Sequence, residues 1–378
     1  MPPRRLIVIV LSLLAMLHLY IGLRLLPAIA PGAAGMATGV LLLVLSTLLL
    51  PAGLAVSRLP HRRWSDPLSW VSMLTMGLFS SVLVLTAVRD VALLALSLAG
   101  AATPALAHQS AVGVPLLALA VTLVGFVNAR RIAGVVYVDV PIAGLPAALV
   151  GYSIVQISDI HIGPTIKHNY LKAIVAKVNA LKPDVIAVTG DLVDGSVHRL
   201  AEHTAPLAQL SARDGAFFVT GNHEYYSGAE EWIAEVRRLG LTVLMNEHVV
   251  RERGGAGVMI AGVPDYTAHH FVESHRSDPH AAAAGAPGHV AVRVLLAHQP
   301  RTAEAAADAG FDLQLSGHTH GGQFFPWNLF VPMQQPFVAG LDRLRALWVY
   351  TSRGTGYWGP PKRFGAPSEI TRLRLVAA

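Results

Sequence analysis

The 378-residue chain contains no cysteine, which excludes a disulfide framework, a thiolate nucleophile and any sulfur ligand for a metal. Charge is scarce: 14% of residues are Asp, Glu, Lys or Arg, against roughly 25% in an ordinary soluble domain. Lysine is missing altogether from residues 1–131, which hold nine Arg and two acids, Asp66 and Asp90, for a formal +7. The other twenty basic and twenty-one acidic residues leave 132–378 at −1. A nucleic-acid groove should be a property of a folded basic domain, so this distribution disfavours one. There is no G-x-x-x-x-G-K-[ST] loop and no G-x-S-x-G elbow, so P-loop nucleotide chemistry and serine-hydrolase chemistry have no support.

What is abundant is apolar sequence, 53% of the chain. Leu6 to Leu26, Ala37 to Val56 and Trp70 to Val88 are almost continuously apolar, and Val112 to Val127 extends into Asn128 and Ala129. Each approaches the ~20 residues that carry a helix across about 30 Å of hydrocarbon. The sequence therefore predicts a transmembrane region over 1–131, with helices at about 6–26, 37–56, 70–88 and 112–129, and a separate domain over 132–378. Val91 to Ala107 is also apolar, but Arg89 and Asp90 precede it and Thr103-Pro104 interrupts it. It reads as an outer loop or a re-entrant segment. A signal peptide accounts for Arg4, Arg5 and the first run, but not for the later ones. His18 requires an interhelical partner or a polar opening, whereas Arg24 can snorkel near a helix end. Arg4/Arg5, Arg58/Arg62/Arg63 and Arg130/Arg131 share one side of a four-span arrangement, with Arg24 and Arg89 opposite. The positive-inside rule then expects both termini and 132–378 in the cytoplasm. A fifth span through Val91–Ala107 would place the C-terminal domain outside.

From about Val135 the pattern becomes that of a layered α/β domain. Val135–Val140 and Ser153–Ser158 read as strands, and Asn169–Leu181 places Tyr170, Leu171, Ile174, Val175 and Val178 at helical spacing. Further strands are expected at Val185–Thr189, Ala216–Thr220, Val258–Val263, Val292–Ala297 and Leu313–Ser316, with Ile370–Val376 as an edge or pairing strand. Helices are expected at Ala201–Leu210, Ala229–Leu239 and Thr302–Ala309.

Short polar side chains gather where these strands end. Asp159 and His161 follow one, and Gly190, Asp191 and Asp194 the next; then come Gly221-Asn222-His223-Glu224, His298, and Gly317-His318-Thr319-His320. Loops at the carboxyl ends of strands in an α/β sheet converge on the ligand crevice. Asp159, His161, Asp191, Asn222, His298, His318 and His320 offer oxygen and nitrogen donors, a set suited to Mn, Fe, Zn, Co or Ni more than to Mg. Seven donors exceed one tetrahedral shell and match two divalent transition-metal ions sharing a bridge. Such a pair, roughly 3.5–4 Å apart, clamps a phosphoryl group and prepares a bridging water to attack phosphorus in line.

The blocks D-x-H at 159–161, G-D-x-x-D at 190–194, G-N-H-E at 221–224, the lone His298 and G-H-T-H at 317–320 occur in that order. Together they resemble the calcineurin-like metallophosphoesterase superfamily over roughly 152–322, and ISDIHIG, TGDLVDG and SGHTHGGQ resemble its membrane-associated bacterial branch. The resemblance implies a four-layer α/β/β/α sandwich. It also implies that Asp159, His161 and His320 bind one metal, that Asn222, His298 and His318 bind the second, and that Asp191 bridges them. His223 is then implied to assist the leaving oxygen and Asp194 to orient His223. Glu224 is expected either behind these residues as an acceptor or as the cap of the following helix, and Gln323 is a candidate contact for substrate.

That branch implies an integral protein of the bacterial inner (cytoplasmic) membrane. Protein-serine/threonine phosphatases of the superfamily usually carry Arg where this chain has Gly195. Its absence favours a phosphodiester, a pyrophosphate or a small or lipid-linked phosphorylated substrate. Arg199, Arg213, Arg353 and Arg363 are expected in surface or salt-bridging roles. Phe324–Phe337, rich in aromatics and proline, reads either as a lip for a bilayer or acyl chain or as a loop packed on the core edge. Alternatives are a membrane receptor or transport-associated protein with a non-catalytic phosphatase-like domain, and a nuclease, which the near-neutral domain disfavours.

Overall fold

Continuous Leu, Val and Ala with hardly a charge leaves the backbone one way to satisfy its polar groups in hydrocarbon, the intrasegment ladder of a helix. Four helices form accordingly: α1 (Arg4–Ile29), α2 (Ala33–Val56), α3 (Ser65–Leu98) and α4 (Pro104–Arg130). All four are long and apolar enough to cross a membrane. The computed structural model describes residues 4–30, 32–56 and 64–378, so Arg58, Arg62 and Arg63 of the orientation argument lie outside the described residues. Leu13, Leu42, Leu48 and Leu116 are exposed on these helices, a surface that suits lipid better than water.

The helices outrun the apolar runs that announced them. α3 continues past Val88 through Arg89 and Asp90 to Leu98, because both charges find partners. The Asp90 carboxylate accepts from the Arg24 guanidinium and the Tyr20 hydroxyl, each at 2.7 Å. Arg89 donates to Ser110 Oγ at 3.0 Å and to the Ala107 carbonyl at 2.9 Å. Val91–Ala107, expected as a loop or re-entrant segment, is therefore shared between the end of α3 and the start of α4, with a break at 99–103. Pro104 opens α4, a position where its missing N–H costs nothing. His18 has the interhelical partner it requires, with Nε2 2.9 Å from Ser46 Oγ. A Cβ on Gly53 would overlap Ser72, so glycine lets α2 and α3 approach closely.

The chain divides into two compact units, Met1–Val127 with Gly359–Lys362, and Asn128–Trp358 with Arg363–Ala378. The second unit is built on two six-stranded sheets. One contains β1 (Gly134–Ile142), β2 (Ser153–Ile157), β3 (Val185–Val188), β4 (Ala216–Phe218), β5 (Thr242–Val243) and β12 (Glu369–Ala377), in the order β1-β12-β2-β3-β4-β5. The other contains β6 (Glu247–Arg253), β7 (Ala256–Gly262), β8 (Val290–Leu296), β9 (Leu313–Ser316), β10 (Gly340–Leu344) and β11 (Leu347–Thr351), in the order β10-β11-β9-β8-β7-β6.

Ile154, Val185, Ala187 and Phe217 of the first sheet pack against Val258, Ile260, Val294 and Leu315 of the second. The outer face of the first sheet buries Ile157, Val188 and Phe218 under α5 (His168–Ala180), α6 (Val197–Thr204) and α8 (Ala229–Arg238). The outer face of the second is covered by α9 (Pro279–Ala283) and α10 (Ala303–Asp308) through Met259, Leu295, Ala282 and Ala303. The result is the α/β/β/α sandwich. Strands buried on both faces read as unbroken apolar runs, which is why β2, β3, β8 and β9 were visible in the sequence. β12 is interior, parallel to β1 and antiparallel to β2. The expected helix at Ala201–Leu210 instead divides into α6 and a 3-10 turn at Ala205–Gln209, with Pro206 at its start.

Candidate metal centre

β2, β3 and β4 of one sheet and β8 and β9 of the other are each followed by one of the five polar blocks, and the side chains of those blocks come together. The backbone there is unusual. Asp159, His161, Asp191, His318 and His320 all have positive φ, between 50 and 69°. Such conformations cost non-glycine residues about 1–3 kcal/mol each, and they persist only where surrounding bonds impose them. Here the Asp159 N–H donates to the Gly190 carbonyl at 3.0 Å and the His161 N–H to the Asp191 carbonyl at 3.2 Å. The His318 N–H donates to Asp159 Oδ1 at 2.9 Å.

The side chains fall into three groups that converge on one another: Asp159 with His161 and His320; Asp191 with His298 and His318; and His161 with Asp194 and His223. In the first, the Nε2 atoms of His161 and His320 are 3.0 Å apart and His320 Nε2 is 3.3 Å from Asp159 Oδ1. In the second, His318 Nδ1 is 3.2 Å from His298 Nε2, which is 3.2 Å from Asp191 Oδ2. The same Oδ2 lies 3.9 Å from His161 Nε2. One carboxylate oxygen thus stands between the two groups. Asn222 is buried and its Oδ1 has no hydrogen-bond partner. Two buried carboxylates, four imidazoles and an orphaned amide oxygen fit divalent transition metals, and a buried acceptor without a donor is costly unless a cation takes that place.

Electrostatics follow burial. Desolvation pushes the His318 imidazole down to about 3, and it holds His320 well below the ordinary histidine value, with the Arg363 cation adding to the effect. Both rings are thereby kept in the unprotonated form a metal requires. His223 behaves oppositely. Burial disfavours its charge, yet the Asp191 carboxylate and the hydrogen bond to Asp194 overcome this and raise it to about 9. His223 Nδ1 is 2.6 Å from Asp194 Oδ1, and His161 Nδ1 is 3.1 Å from the same oxygen. Asp194 therefore orients two rings, one more than the sequence reading assigned it. Its own pKa is held low by both histidines despite its burial.

Glu224 is wholly buried and sits in α7 (Asn222–Ser227). Its carboxylate accepts the N–H groups of Asp191 at 3.0 Å, Leu192 at 2.8 Å and Gly221 at 2.6 Å. It braces the Asp191 loop and caps the start of α7, rather than the helix beginning near Gly228. Gln323, a candidate substrate contact, uses its amide on the Trp358 main chain, donating at 2.8 Å and accepting at 2.9 Å. Arg363 is not a surface residue: it is 1% exposed and donates to the carbonyls of His320 at 3.0 Å and Arg353 at 2.6 Å. Arg353 and Arg213 do form the expected salt bridges, with Glu369 and Asp184. Tyr226 and Trp358 neighbour His223, with ring centroids at 5.2 and 5.6 Å; the sequence expects the Ser352–Pro361 segment, Trp358 included, to pack near the site, but does not single out Tyr226. Tyr226 was findable, since it lies one helical turn beyond Asn222; the particular contact of Trp358 with His223 is set by tertiary folding. In the aromatic segment Phe325, Trp327, Leu329, Phe330 and Met333 are exposed, whereas Phe324 is buried and Phe337 packs against the core at the outer face of the second sheet.

The pattern of the Calcineurin-like phosphoesterase family matches residues 152–322. An uncharacterised metallophosphoesterase of Aquifex aeolicus (strain VF5) is 32% identical over 59% of this chain and 84% of its own length. The chain belongs to the calcineurin-like metallophosphoesterases. It is also 42% identical to a bovine (Bos taurus) transmembrane protein with metallophosphoesterase domain, over 70% of this chain and 63% of that protein. This metallophosphoesterase thus spans a little under two thirds of the bovine relative's length. A solved structure, the NAD nucleotidase of Haemophilus influenzae, is similar over 55% of this chain and 51% of its own, at 18% identity and TM-score 0.39.

Proposed function

We propose that this metallophosphoesterase is a metal-dependent phosphoester hydrolase held at a bilayer by its four apolar helices. The observation that carries the reading is the position of Asp191 Oδ2, 3.2 Å from His298 and 3.9 Å from His161. That position supports Asp191 as the residue that would bridge two ions, one of which Asp159, His161 and His320 would hold and the other Asn222, His298 and His318. Bound divalent ions supply Lewis-acid polarisation of the phosphoryl group and a nucleophile from water at neutral pH.

The remaining work falls to the chain's own residues. His223, raised to about 9, is protonated at neutral pH and gives its proton from Nε2 to the departing oxygen as the ester bond breaks. Asp194 holds the Nδ1 side of the ring and stabilises the imidazolium before transfer. Glu224 keeps the Asp191 loop in its left-handed conformation. Tyr226 and Trp358 flank His223 and reduce water access to it.

Gly195 in place of a phosphate-gripping arginine favours a phosphodiester, a pyrophosphate or a small or lipid-linked substrate over a phosphoprotein. The exposed lip at Phe325–Met333 favours an amphiphilic one. The arginine-rich flanks of the apolar runs favour a cytoplasmic catalytic domain on an inner membrane. The test is turnover of phosphomonoesters, diesters and phospholipid head groups by the detergent-solubilised full chain, reconstituted with Mn, Fe, Zn, Co or Ni. Asp191→Asn is expected to lower turnover by about 10³-fold or more, of the order seen when an electrostatic catalytic group is removed, with loss of bound metal. Undiminished turnover would reject Asp191 as the bridge.

A further inference from the structure

A cleft of about 260 Å³ opens beside the candidate centre, lined by Asn222, His318, Gln299, Arg301, Gln334 and Tyr226, among others. Two of these, Asn222 and His318, are candidate ligands of the second ion, so whatever fills the cleft lies next to the group being hydrolysed. The lining includes amides, hydroxyls and one guanidinium, and no carboxylate. The nearby Asp265 is wholly buried and committed elsewhere: it accepts from Gln299 Nε2 at 3.0 and 3.2 Å and from the Thr267 N–H and hydroxyl at 2.8 and 2.6 Å.

From that carboxylate a chain of bonds leads to Arg301. Gln335 Nε2 donates to Gln299 Oε1 at 3.1 Å, and the Arg301 N–H donates to Gln335 Oε1 at 3.2 Å. Gln299 and Gln335 are both buried. The Arg301 guanidinium lies over the Tyr266 ring, 5.3 Å from its centroid, and its Nη2 donates to the Gln334 carbonyl. Among the described residues no carboxylate pairs with Arg301. A half-buried cation held by a cation–π contact and a carbonyl, on a backbone N–H fixed by a buried amide relay, is already ordered before an anion arrives, so less entropy opposes binding.

We propose that this cleft is a second anion subsite, in which Arg301 recognises a phosphoryl group adjacent to the one hydrolysed. This reading rests on the proposed hydrolase function and narrows its substrate to compounds with two neighbouring phosphoryl groups, as in a pyrophosphate linkage. The fork of a guanidinium matches two phosphoryl oxygens, and the Gln334 amide and Tyr226 hydroxyl at the same cleft can meet the third. The volume, below the roughly 300–1,000 Å³ of drug-sized sites, suits one compact anionic group. Arg301 is accordingly a specificity-determining residue.

The test compares binding by the metal-loaded full chain of methylenebisphosphonate, methylphosphonate and phosphonoacetate, measured by calorimetry on wild type, Arg301→Gln and Arg301→Lys. Expected is a loss of methylenebisphosphonate affinity of tenfold or more in Arg301→Gln, a smaller loss in Arg301→Lys, and less than threefold change for methylphosphonate. Metal content and melting temperature of each variant report whether the fold is intact. Equal losses on both phosphonates, or none on either, would overturn the proposal. Phosphonoacetate bound as tightly as the bisphosphonate, with the same dependence on Arg301, would overturn the phosphoryl assignment in favour of any second anion. Turnover of bis(4-nitrophenyl) phosphate, 4-nitrophenyl phosphate and a pyrophosphate diester by wild type reports separately on the hydrolase reading; absence of turnover on all three sinks that reading whatever the binding arms give.

Discussion

His223 illustrates how neighbouring carboxylates, Asp191 and the hydrogen-bonded Asp194, set a working pH. The histidine's folded-state pKa of about 9 lies above its ordinary 6.5, so the protonated form is favoured by folding. That stabilisation is complete below pH about 6.5 and disappears as pH rises through about 9. If His223 is the proton donor, kcat falls above pH about 9, and Asp194→Asn moves that limb downward by removing the hydrogen-bonded charge. A pH–rate profile of both forms checks this; a limb that stays in place in the variant would separate Asp194 from the histidine's titration. His223→Ala is expected to cost about 10²–10⁴-fold in turnover of esters with poor leaving groups. The loss should be smaller on 4-nitrophenyl esters, whose leaving oxygen needs no proton.

At the scale of elements, strand ends meet only because glycine allows them to. A Cβ at Gly221 would overlap the Asp191 carboxylate and backbone, and one at Gly317 would overlap Asp159 and Ser158. Gly221→Ala is therefore expected to displace the Asp191 loop and to lower both metal content and stability, the latter by roughly 1–3 kcal/mol as overpacking usually does. Calorimetric melting and metal analysis measure the two effects. Glu224 supports the same loop from behind. Its replacement by Ala orphans three N–H groups at about 1–3 kcal/mol each, whereas Glu224→Gln keeps an acceptor and should retain more of the bound metal. Equal metal loss in both variants would argue against the bracing role. The G-N-H-E block was legible in sequence, but the reach of Glu224 across β3 and β4 was not, because its three partners lie on two different loops.

At the scale of the whole molecule, the apolar helices and the α/β unit should respond to different treatments. Chelation is expected to lower the melting temperature of the α/β unit by about 5–10 °C per ion lost. An ion at 100 times its Kd contributes about 2.7 kcal/mol, and 1 kcal/mol corresponds to roughly 2–4 °C in a domain of this size. High salt and alkaline carbonate should leave the chain in the membrane fraction. With the domain in the cytoplasm, external protease should spare 132–378 in intact cells and cut it after lysis; cleavage in intact cells would reverse the proposed orientation.

Sequence alone determined that this chain has four apolar helices and an α/β domain, since each rests on local periodicity and length, and it marked the five polar blocks that set its family. It did not determine where α3 ends, because Asp90 is paired by Arg24 and hydrogen-bonded by Tyr20, and Arg89 is hydrogen-bonded by Ser110, all from other helices. Nor did it reveal the burial of Arg363, the lock between Gln323 and Trp358, or the relay from Asp265 to Arg301. Those arrangements join residues 21 to 70 positions apart, or carry an ordinary side chain into an unusual environment. Their energies come from partners that only the folded chain brings within hydrogen-bonding distance.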